Sequence, residues 1–229
     1  MQCHHRPGER HSVRSPCQRR YLLIQQIPAS RHRAGSGYAD FVGDGPPTPA
    51  SGKTLDQLKQ EHIASTQRGY PILVAGAVYF LVLALLRALV PVRTVQLIWV
   101  LGLCVIFPAG VLLGRTLGIH VISRGNPLGT LGGLIAATQV FYLPVFIAVY
   151  QFQPSLLPLT IGLLGGAHFL PYGWLYNSRG YLFVAVATGL SALILGGPFM
   201  ASSLTSVPLA IALTYAFGTL WILRENRKQ

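Results

Sequence analysis

Acidic charge is nearly missing from this chain: six Asp and Glu stand against eighteen Lys and Arg in 229 residues. Five of the six precede His62 and the sixth is Glu225, so the stretch between His62 and Arg224 holds no carboxylate. That gap excludes several chemistries. An aspartic intramembrane protease needs two carboxylates. A zinc protease of the His-Glu-x-x-His kind needs a glutamate and a second histidine. A proton relay inside a membrane usually runs through Asp or Glu. Cysteine is scarce as well. Cys3, Cys17 and Cys104 are odd in number and one sits in an apolar run, so they make no disulfide framework. Cys3, His4, His5, His11 and Cys17 follow no zinc spacing. No cofactor and no metal is expected. Charge of either sign is low throughout, at 10% of residues against roughly 25% in a soluble domain.

What fills the chain instead is apolar, at 51% of residues. The fold class expected is all-α: a six-helix transmembrane bundle with both termini in the cytoplasm and a disordered basic N-terminal tail. About 20 apolar residues cross a ~30 Å hydrocarbon layer. The runs fall at 70–90, 95–114, 128–150, 155–176, 181–201 and 205–223. Six spans with an internal N-terminus place Lys53, Lys59, Arg68, Arg115, Arg124, Arg179, Arg224, Arg227 and Lys228 inside, and only Arg87 and Arg93 outside. That asymmetry is the positive-inside bias. It accounts for the net charge of +12 without nucleic acid as a partner. The lipid bilayer of the cell inner (plasma) membrane is the expected environment; oligomeric state is not legible.

Three regions follow. Residues 1–53 are rich in Arg, Pro, Ser, Gly and His and cannot bury a core. They read as a misassigned start, a disordered tail or a transit peptide. Ser51-Gly52-Lys53-Thr54 ends like a phosphate-binding loop, but the glycine needed five residues before Gly52 is Pro47. Residues 54–69 read as a surface helix with Thr54 as N-cap and Gln57 completing a capping box. Residues 70–225 are the membrane domain. Gly110/Gly114, Gly129/Gly133 and Gly162/Gly166 are pairs that let helices approach closely in lipid.

Polar residues inside the spans mark the candidate site. The third span carries Gln139 and Tyr142, and the fourth carries His168 and Tyr172, four apart on one helical face. Counting 1.5 Å per residue puts His168 about 13 Å and Gln139 about 18 Å from the cytoplasmic edge. The expected pocket therefore lies near the midplane, with Asn126 and Arg179 at its cytoplasmic mouth. The same residues also serve as interhelical glue, a reading that stays open. A serine protease pairing of Ser191 with His168 lacks the glycine after the serine and reverses the usual order. The function expected is non-enzymatic: binding or passage of a small neutral or anionic solute. A scaffold whose polar residues only lock the helices is the alternative.

Asn126-Pro127-Leu128-Gly129 and Gly166-Ala167-His168-Phe169-Leu170-Pro171-Tyr172-Gly173-Trp174-Leu175-Tyr176 resemble motifs of a family of small, uncharacterised multi-pass bacterial membrane proteins, a domain of unknown function. The resemblance covers residues 54–225. It implies a bacterial membrane location and carries no established activity.

Overall fold

A computed structural model describes residues 52–123, 125–197 and 202–228. The expected tail, up to residue 51, lies outside the described residues, as do Arg124 and Pro198. Helices α1 (Leu55–Thr66) and α2 (Tyr70–Leu86) flank a turn at Gln67–Gly69. They are followed by α3 (Val92–Thr116), α4 (Pro127–Ala137), α5 (Tyr142–Phe152), α6 (Leu157–His168), α7 (Leu170–Leu175), α8 (Arg179–Gly196) and α9 (Ser203–Asn226). Among the described residues there is no strand. Six helical stretches are long and apolar enough to cross a membrane. An even number of crossings returns the chain to its starting side, and Arg68 beside α2 accordingly meets Asn226 at the end of α9.

Local sequence explains the ends. Thr54 accepts from the Gln57 backbone at 3.3 Å while the Gln57 side chain accepts from the Thr54 backbone at 2.9 Å, the expected capping box. The Asn126 and Ser178 side chains cap α4 and α8 by accepting from the Leu128 and Tyr181 backbone N–H groups. The fourth span breaks between α6 and α7, where Pro171 has no N–H to continue the ladder. The third span, expected as one helix over 128–150, tightens into a 3₁₀ turn at Thr138–Phe141 just before Pro144.

Packing is uneven. α9 lies against α2 and α8, α6 against α8, and α3 against α2. Half of the most apolar window of the sixth span is buried, against 6% for the third. Gly166 shows why α6 and α8 come so close: a Cβ there would stand 2.9 Å from the Ala185 carbonyl oxygen and 2.9 Å from the Gly189 nitrogen. Gly110 approaches Ile72 of α2 in the same manner, a Cβ reaching its Cα at 2.7 Å. Gly133, on the third span, has nothing within 4 Å.

Candidate functional site

The fourth-span glycines decide where the expected site residues go. Gly162 and Gly166 pack on Ala192, Ala185 and Gly189 of α8, so close approach is spent on the fifth span. The third span gains no such approach at its middle. Gln139 consequently sits exposed in the 3₁₀ turn, and its side chain makes no hydrogen bond among the described residues. Tyr142 is half-buried and meets Phe146 edge-on at 6.3 Å. The expected meeting of His168 with Gln139 is therefore absent. Asn126 is buried and structural in what it touches: its side chain accepts from the Leu128 backbone and donates to the Leu58 carbonyl, both at 2.9 Å. Arg179 is exposed, and its backbone N–H donates to Glu225 at 3.0 Å.

His168 and Tyr172 do meet, one helical turn apart across the α6–α7 break. Their rings lie 5.3 Å apart, edge to face. Tyr172 donates its hydroxyl to the Gly132 carbonyl at 3.0 Å and lies nearly parallel to Tyr176 at 5.9 Å. Tyr176 in turn stacks on His62 at 5.2 Å with 5° between the ring planes. An aromatic column thus runs from His168 to His62, from the fourth span to the surface helix α1. Both imidazoles are buried. Among the described residues, His168 Nδ1 and both ring nitrogens of His62 have no hydrogen-bond partner. Orphaned buried polar atoms are costly and uncommon in native structures.

A second polar centre escaped the sequence reading. Arg68 is 4% exposed although it stands next to the membrane domain. Its Nε donates to the Tyr176 carbonyl at 3.2 Å and lies 3.8 Å from the Glu225 carboxylate; another guanidinium nitrogen donates to Asn226. Glu225 also accepts from Ser178 at 2.5 Å and from the backbone N–H groups of Arg179 and Gly180 at 3.0 and 3.2 Å. It is a carboxylate on the positive end of α8, where the helix dipole favours it. The clamp also holds an unusual backbone. Gln67, Arg68 and Gly69 have φ of +46°, +56° and +63°. Asn226 donates to the Gln67 carbonyl at 3.1 Å and Tyr181 to the Arg68 carbonyl at 2.6 Å. Surrounding bonds of this kind are what keep non-glycine residues in the left-handed region. The signal was available in the sequence: Glu225 is the lone acid after Glu61.

Beside α1 lies a cavity of about 460 Å³ lined by Ser65, Val111, Arg115, Ile119, His120, Val121, Ile122 and Ser123. The loop after α3 builds it. Gly118 turns the chain at φ +71°, and the Ile119 N–H returns to the Gly114 carbonyl at 2.8 Å, closing the helix end. The Ser65 and Ser123 hydroxyls are bonded at 3.3 Å across the wall. Arg115 and His120 are exposed, no acid lines the space, and Arg115 has no ion-pair partner among the described residues. Ser65 also bonds the His62 carbonyl at 3.0 Å, so the cavity wall and the end of the aromatic column are one turn apart on α1.

No group of three His, Cys, Asp or Glu side chains that could hold a metal occurs among the described residues. The chain belongs to a family of unknown function (DUF7010), which it matches over residues 55–225. No curated protein and no solved structure matches it.

Proposed function

We propose that this multi-pass membrane protein binds, and passes, a small anionic or neutral hydrogen-bonding solute without catalysing a covalent reaction. The observation that carries the reading is the cavity beside α1, with Arg115 and His120 in its wall and no carboxylate. A cavity lined in this way disfavours cations and favours anions. The aromatic column behind it holds hydrogen-bonding nitrogens, at His62 and His168, that no group among the described residues occupies. The Lys and Arg asymmetry and the resemblance of the two motifs support a reading in which the cavity lies on the cytoplasmic face of a bacterial plasma membrane.

The scaffold reading keeps one specific support: the Arg68–Glu225 clamp spends all its polar contacts inside the chain. Flux of radiolabelled neutral and anionic solutes into proteoliposomes separates the two. Uptake above empty liposomes, lost in Arg115→Gln, is the expected result. A panel in which no solute crosses or binds would leave the scaffold as the reading.

A further inference from the structure

The cavity has two chemically different halves, and their depth differs. Arg115 is the penultimate residue of α3, at the end of the second span, and His120, Ser65 and Ser123 add polar groups to the cavity wall. Val111 lies one turn deeper on the same helix, about 6 Å further into the hydrocarbon. Val121 and Ile122 add apolar surface from the loop, with Val121 close against Gly114. At about 460 Å³ the space falls within the roughly 300–1,000 Å³ of small-molecule sites, and a bare inorganic oxyanion leaves most of it empty. We infer that the cavity takes the phosphate-bearing end of an amphiphile. The oxyanion meets Arg115, His120 and the two serine hydroxyls, and the hydrocarbon stem lies along Val111 towards the membrane interior. Guanidinium is the side chain best matched to a phosphate, through paired N–H donors. No other charge competes for it here.

This inference rests on the reading of the cavity as the protein's binding site and narrows the ligand within it. The test uses the full chain in nanodiscs of zwitterionic lipid, with three probes: a short-chain phosphatidic acid, inorganic phosphate, and the matching short-chain diacylglycerol without phosphate. Calorimetry should show phosphatidic acid binding at least about tenfold more tightly than either other probe. Arg115→Gln should weaken it by about tenfold or more, the size expected for a lost charged hydrogen bond. Val111→Trp should weaken phosphatidic acid and leave inorganic phosphate unchanged, because it fills only the apolar half. Arg115 is exposed and Val111 is only partly covered, so both variants should keep the wild-type melting temperature, measured alongside. Equal binding of inorganic phosphate and phosphatidic acid would overturn the amphiphile while leaving the solute reading intact. Equal binding of diacylglycerol, or no effect of Arg115→Gln, would overturn the phosphate. If no probe and no other solute binds, the inference and the proposed function fall together.

Discussion

The Arg68 clamp and the His62–His168 column are both polar, both buried and both joined through Tyr176, yet they are finished to different degrees. In the clamp, a guanidinium, a carboxylate and a carboxamide hold one another and the backbone of three segments far apart in sequence. In the column, the rings pack well and three imidazole nitrogens have no partner among the described residues. A satisfied network specifies one arrangement; an unsatisfied one costs stability and is retained for another reason. The contrast teaches where to look for function in a membrane domain with a single acid. The ionisable groups that fix the fold are those whose bonds are all made.

The largest effect should come from breaking the clamp at its acid. Glu225→Leu removes the counter-charge of Arg68, the bond to Ser178 and the cap of α8 at once. It should destabilise by about 3 kcal/mol, the lower end for an uncompensated buried charge. Arg68→Leu should cost less, about 1–2 kcal/mol, because Glu225 keeps the Ser178 hydroxyl and two backbone donors. Equilibrium unfolding in detergent micelles reads both. If the two variants cost the same, Glu225 is a partner of Arg68 and nothing more.

Next in size is the column. His168→Leu removes an imidazole with one orphaned nitrogen and keeps an apolar side chain of similar bulk among Phe169 and Tyr172. Stability should change by less than about 1 kcal/mol, since the lost packing and the relieved desolvation oppose each other. Solute flux in proteoliposomes should fall. A loss of several kcal/mol with unchanged flux would make His168 a structural residue like Arg68, and the two regions would no longer differ in kind.

Much of the architecture was legible because lipid leaves few choices. Six apolar runs, their lengths and most of their joints follow from hydropathy, and Thr54, Asn126 and Ser178 announce helix starts by chemistry alone. The site was legible only in part. Depth along a span can be counted from sequence, so His168 and Tyr172 fell together. Rotation about a span cannot, because a glycine pair says that some helix comes close without saying which. Gly162 and Gly166 chose α8, and Gln139 was left outside. The cavity depends on a loop turn at Gly118 and on Ser65 from a helix about fifty residues earlier, a juxtaposition no spacing encodes.

The smallest effect is expected at Gln139, and it sharpens the comparison from the other side. Its carboxamide is polar like the column and unbonded like the column, but it is exposed rather than buried. It sits near the middle of the third span, the least covered of the six, on the 3₁₀ turn where the helix already departs from regular geometry. A polar group exposed there gains nothing from the rest of the chain, so Gln139→Leu removes no contact. Leucine is also the better residue for a surface facing hydrocarbon. Unfolding stability should therefore stay within about 0.5 kcal/mol of the parent, as for a substitution away from any packed feature. A destabilisation above about 1 kcal/mol would mean that the carboxamide has a partner in the membrane, since interhelical side-chain hydrogen bonds there average about 0.6 kcal/mol and reach about 1.7. A fall in flux at unchanged stability would return Gln139 to the solute path, where its depth first placed it.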